Sequence, residues 1–89
     1  MVLFAVRTEG ESRFGVTASR KVGNAVFRAR SKRRLRELYR TRPLNDVTES
    51  LDLVANARRS CARAPWQKLK QDFEFCLDRL SERMRAERR

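Results

Sequence analysis

Residues 19–42 read SRKVGNAVFRARSKRRLRELYRTR. Arg20, Lys21, Arg28, Arg30, Lys32, Arg33, Arg34, Arg36, Arg40 and Arg42 stand here against one acid, Glu37, far more positive charge than solubility needs. Gly23-Asn24 interrupts an extended run, and Asn24 is a good N-cap for a helix from Ala25 to about Arg42, where Pro43 disfavours continuation. At helical spacing Phe27, Ser31, Leu35, Leu38 and Tyr39 share one face, while Arg33, Arg36 and Arg40 cluster opposite, flanked by Arg30 and Lys32. The helix thus separates a core side from a basic side. Ser31 and Arg34 fall within or beside the apolar arc, which predicts a narrow, partly wet seam.

On the N-terminal side, Val2 to Arg7 and Arg13 to Ser19 read as strands rich in Val, Phe and Thr, and the polar segment Thr8 to Ser12 with its turn glycine predicts that they form a hairpin. Phe14, Val16 and Ala18 alternate onto the drier face of the second strand. The first strand is apolar on both faces, so Phe4 is either core or surface. On the C-terminal side, Pro43 to Ser50 is a polar linker, and Leu51 to Asn56 is a third strand with Leu51, Leu53 and Ala55 on one face. Arg58 to Ala64 reads as a loop, and Pro65 suits the first position of a final helix. Trp66, Leu69, Phe73, Leu77, Leu80 and Met84 recur there at spacings of three and four, which predicts that all six face the core. The order is β-β-α-β-α in a single α+β domain over residues 1–84, with 85–89 as a basic tail.

The 89 residues leave room for one modest core. Lys and Arg outnumber Asp and Glu 22 to 11, giving a net charge of +11, yet the chain is 40% apolar, too much for a disordered basic tail. The partner is therefore a polyanion, with nucleic acid ahead of an acidic membrane, because the basic helix lacks the broad apolar face that insertion needs. Cys61 and Cys76 have no neighbouring Cys and the chain has no His, which disfavours zinc or a disulfide framework and fits reduced thiols in the cytoplasm. The opening apolar run is too short, and too soon interrupted by charge, for an export or membrane segment.

The acids make no convincing catalytic pair. Glu9 and Glu11 lie in a turn, Glu37 is on the basic helix, and Asp72, Glu74 and Asp78 are spread along the last helix. Asp46, Glu49 and Asp52 straddle a linker and a strand, poor geometry for a metal. The three glycines form no phosphate-cradling pattern. Binding has better material, since arginines on an exposed helix face follow phosphates with bidentate bonds and stack on bases. Trp66 reads as core, whereas Phe4 is a candidate for stacking on a single strand.

The ordered run Ser19-Arg20-Lys21-Val22-Gly23-Asn24-Ala25-Val26, then Arg28-x-Arg30, then Lys32-Arg33-x-Leu35-Arg36-Glu37 resembles the protein subunit of bacterial ribonuclease P, the ribonucleoprotein that removes the 5′ leader of precursor tRNA. The Leu51 to Arg58 and Trp66 to Arg79 segments fall where that family has its next strand and helix. The resemblance implies an α/β sandwich in which the basic helix joins two parallel strands by a left-handed crossover, contrary to the general rule. It also implies a subunit of an endoribonuclease whose catalytic RNA performs the hydrolysis with Mg2+. The protein, a monomer in the complex with no cofactor of its own, would bind the catalytic RNA and the single-stranded leader of precursor tRNA.

Carried over by position, the implied RNA contacts are Arg28, Arg30, Lys32, Arg33 and Arg36, extended by Arg20 and Lys21, with Asn24 at the turn and Phe4 in the leader cleft. Ala29 stands where the family's motif has an amide, and Ser31 and Arg34 stand where it has aliphatic residues. The family's basic arm and aromatic-bearing first helix, one wall of its cleft, have no counterpart before Val2, which implies a cleft with weaker leader binding. The rival reading is a general or ribosome-associated RNA-binding module without a processing role.

Overall fold

The computed structural model describes residues 1–41 and 51–87. Its elements are β1 (Val2–Arg7), β2 (Arg13–Thr17), a 3-10 turn (Arg20–Val22), α1 (Ala25–Thr41), β3 (Leu51–Asn56), α2 (Arg59–Arg63) and α3 (Trp66–Glu87). The linker expected over 43–50 and the helix stop at Arg42-Pro43 lie outside the described residues.

The three strands form one mixed sheet in the order β1-β3-β2. β3 pairs antiparallel with β1, Leu3 opposite Ala55 and Ala5 opposite Leu53, and parallel with β2, Phe14 opposite Leu53 and Val16 opposite Ala55. The expected hairpin is therefore not formed: β3 enters between its two arms. The reason lies in the side chains. Leu51, Leu53 and Ala55 are the most buried strand residues, and a strand that dry is stabilised best at the centre, with both neighbours excluding water from its ladder. The register is closed at both ends, by Leu51 N–H donating to Ser12 Oγ (3.0 Å) and Ala57 N–H donating to the Thr17 carbonyl (2.8 Å).

One sheet face is covered by helices. Leu35 and Leu38 of α1, Cys61 of α2, and Leu69, Phe73, Leu77, Leu80 and Met84 of α3 share one core with Leu51, Leu53 and Ala55, and Leu3, Ala5, Phe14 and Val16 pack against it from the sheet side. Each of the larger aliphatic side chains so buried contributes roughly 1.5–3 kcal/mol. α1 lies along β2, where the Tyr39 ring stacks on Phe14 with centroids 4.3 Å apart, and α3 lies along β1. The predicted α3 stripe holds from Leu69 to Met84, but Trp66 does not join it: 39% of its surface is exposed. Trp66 opens the helix just beyond the packed layer, and its one-turn neighbour Lys70 is also exposed. The segment expected as a loop contains α2, whose buried Cys61 and Ala62 pin it to the core.

The seam of α1 is polar where its pattern places Ser31 and Arg34, but these side chains bond to protein carbonyls. Ser31 is fully buried, and its hydroxyl donates to the Phe27 carbonyl one turn back at 3.0 Å. Arg34 reaches out of the arc to donate to the carbonyls of Cys61 (2.9 Å) and Ala64 (2.6 Å). It thereby satisfies carbonyls at the end of α2 that have no partner within the helix.

Candidate nucleic-acid interface

The turn before α1 is built from local backbone chemistry. Val22 is buried and anchors the 3-10 turn, closed by Val22 N–H to the Ser19 carbonyl (3.0 Å) and Gly23 N–H to the Arg20 carbonyl (3.1 Å). Gly23 has φ 141°, ψ −160°, a conformation essentially reserved for glycine. Asn24 then caps the helix, its Oδ1 accepting from Phe27 N–H at 3.1 Å and its carbonyl from Arg28 N–H at 3.0 Å. Asn24 is thus the predicted cap, and the buried Val22 leaves Arg20 and Lys21 exposed.

On α1 the cations named from sequence do not form one row. At 100° per residue Arg33 and Arg36 point outward and are exposed, as is Arg40. Arg28 and Lys32 fall on the flank toward β2 and are half-buried, while Arg30 falls on the opposite flank, toward α2, and is exposed. Arg28 and Arg30 therefore straddle Ala29 rather than share a face. The Nε of Arg28 is buried and donates to no protein acceptor, an unsatisfied donor that costs stability. Glu37 is held by Arg40 through bonds of 2.6 and 3.1 Å, and the bond from Arg40 keeps its carboxyl below the usual value.

Sequence reasoning left a basic crevice unread. At the C-terminal ends of the parallel strands β2 and β3, an opening of about 600 Å³ is lined by Ser19, Lys21, Asn56, Arg58, Arg59 and Ser60, with no carboxylate among its walls. The paired ends of β2 and β3 bring residues 19–21 and 56–60 together; only the strand pairing, invisible in the sequence, could have shown it.

Phe4 lies on the sheet face away from the helices, 52% exposed, opposite Val54, whose other neighbour is Gly15. Val6 is 63% exposed on the same face. A Cβ at Gly15 would meet nothing within 4 Å, so the sheet face is open on the far side of Val54 from Phe4. Polar pairs bound this apolar strip. Arg13 donates to both carboxylate oxygens of Asp52 (3.3 and 3.2 Å), and Thr17 Oγ1 lies 3.3 Å from Asn56 Oδ1. Asp52 is thus ion-paired, and Asp46 and Glu49 lie outside the described residues.

A Ribonuclease P family profile matches residues 1–81. The chain belongs to the Ribonuclease P protein family. Ribonuclease P protein components from Kocuria rhizophila and Brucella suis are 43% and 38% identical to it, over 81% and 78% of this chain and 65% and 49% of their own lengths. The chain thus spans about half to two thirds of these curated relatives. The fold is that of the RNase P protein of Staphylococcus aureus (TM-score 0.70, 23% identity, 85% of this chain and 70% of that one) and of Thermotoga maritima (TM-score 0.69, 22% identity, 86% and 74%). The resemblance carried by residues 19–37 is therefore sound, and so is the α+β class.

Among the described residues no three His, Cys, Asp or Glu side chains are grouped to hold a metal ion, and no helix is long and apolar enough to cross a membrane.

Proposed function

We propose that this chain is an RNA-binding accessory subunit of ribonuclease P that assists removal of the 5′ leader from precursor tRNA. The observation that carries the reading is the surface of α1 in a chain of this family. Arg28, Arg30, Lys32, Arg33 and Arg36 surround the helix on every side but the core, and the helix's single acid is spent on Arg40. Such a helix can lodge in RNA and take phosphates from two flanks and an outward ridge at once, each neutralisation releasing counterions. That embedding suits the catalytic RNA.

The leader fits the other surface. An unpaired strand needs an apolar platform for its bases beside cations for its phosphates. Phe4, Val6 and Val54 supply the first, and Lys21, Arg58 and Arg59 at the adjoining crevice supply the second. Hydrolysis, with its Mg2+, is assigned to the RNA subunit, as the family resemblance implies; among the described residues, Asp52 and Glu37 are ion-paired with Arg13 and Arg40. The setting is the cytoplasm.

The test is cleavage of precursor tRNA by the matching catalytic RNA at low magnesium, with and without the folded protein. Stimulation is expected, and none would overturn the accessory role. Comparing affinity for leader-bearing precursor and mature tRNA separates this reading from a general RNA-binding module, which predicts no preference.

A further inference from the structure

The junction between α2 and α3 holds an aromatic feature that neither surface above uses. Trp66 is the chain's only tryptophan and leaves 39% of its surface in solvent, although its spacing predicts burial. The Arg34 guanidinium lies 5.7 Å from its ring centroid and is fixed in place by its bonds to the Cys61 and Ala64 carbonyls. Arg63 lies 5.0 Å from the Phe27 ring centroid, and Arg30 stands one turn before Arg34 on α1.

The charges gathered here have one sign. Arg34 is partnered by neutral carbonyls, so its charge is not cancelled, and burial followed by the nearby Arg30 lowers its pKa. Glu37, one turn along α1, is already bonded to Arg40. The carbonyl bonds account for Arg34 as a brace. They do not account for a tryptophan held at the water boundary among cations. Arg34 lies over one face of the indole; the surface left in solvent can take a base, and the exposed Arg30 and Arg63 on the neighbouring elements can take phosphates.

We propose that Trp66 is a stacking platform for an unpaired RNA base, with Arg34 bracing the ring and the exposed Arg30 and Arg63 available to the flanking phosphates. The proposal rests on the RNA-binding reading above and adds to it a base contact on the α2 side of the arginine helix, in the helical layer rather than on the Phe4 face.

Because Trp66 is the only indole, its fluorescence reports the site directly. The full chain is titrated with an oligoadenylate of about twelve nucleotides and, separately, with inorganic polyphosphate, binding being followed independently by anisotropy or light scattering. Quenching by the oligoadenylate and not by polyphosphate is the expected result. Equal quenching by both, or binding of the oligoadenylate without quenching, overturns the platform. Trp66→Leu should weaken oligoadenylate binding about tenfold with the slope of log affinity against log salt unchanged, since stacking releases no counterions. Trp66→Phe should recover most of that loss. Unchanged affinity in Trp66→Leu, or a loss that Phe does not recover in a variant with the wild-type circular dichroism melt, sinks the proposal. If the wild-type chain binds neither oligoadenylate nor precursor tRNA, the broader RNA-binding reading fails with it; binding that ignores Trp66 removes the platform alone.

Discussion

Arg34 and Glu37 sit one turn apart on the arginine helix, and neither is free to meet RNA as a simple surface charge. Arg34 satisfies the Cys61 and Ala64 carbonyls, so Arg34→Met should lower stability by about 2 kcal/mol. The loss would be read as a fall in the urea midpoint. Glu37 lies below its ordinary pKa of 4.5 because Arg40 bonds its carboxylate. A depressed folded pKa means that the pair's contribution is present above 4.5 and is lost as pH falls through the folded value. Both partners are exposed, so that contribution is small. The larger effect of Glu37→Gln is on binding: it frees Arg40 and removes the one opposing charge. Precursor tRNA affinity should rise and its salt dependence steepen, as filter binding across a salt series would show. The sequence marked Arg34 as misplaced in an apolar arc, which was correct. Its carbonyl partners, about thirty positions away, could not be read from helical spacing.

At the scale of elements, what was legible followed from local periodicity and what was hidden depended on long-range pairing. The core face of α1, the inner face of β3 and the α3 stripe from Leu69 to Met84 all emerge from alternation or helical spacing. The strand order does not, because a short polar connection between β1 and β2 argues for a hairpin while the pairing is decided by β3, which arrives after α1. β1 defied alternation for a physical reason: Leu3 and Ala5 meet the core, yet Phe4 and Val6 are apolar and exposed. That exception to patterning is the candidate leader surface itself. The Gly23 turn can be tested at this scale, since it sets where Arg20 and Lys21 stand relative to α1. A Cβ at Gly23 would lie 3.1 Å from the Phe27 Cβ, at φ 141°. Gly23→Ala should therefore destabilise by at least about 1 kcal/mol, seen as a lower Tm. RNA affinity should drop further than the unfolded fraction explains, because the turn's cations move with its backbone.

Over the whole molecule, the net charge of +11 and the two-layer architecture act together. The outward cations of α1 stand apart from the apolar strip on the bare sheet face, so the charged ridge and the Phe4 platform of the proposed interface can be varied one at a time. That separation makes them experimentally distinct. Each cation removed from contact with a single strand should flatten the slope of log affinity against log salt by about 0.7. Arg33→Gln with Arg36→Gln, on the surface proposed to meet the catalytic RNA, should flatten the slope for that RNA by about 1.4 to 1.8, the upper figure for helical segments, whereas Phe4→Ala should weaken leader binding about tenfold at unchanged slope. A double variant with an unchanged slope would show that the outward ridge of α1 does not touch RNA. A Phe4→Ala variant whose affinity for leader-bearing precursor is intact would remove the sheet face from the interface. The excess of positive charge also weakens the free protein, because its cations repel one another in the compact state. Its urea midpoint should therefore rise with salt or on adding precursor tRNA, and the rise with RNA should shrink in the Arg33→Gln, Arg36→Gln variant in step with its lost affinity, because binding to the folded state alone shifts unfolding by mass action.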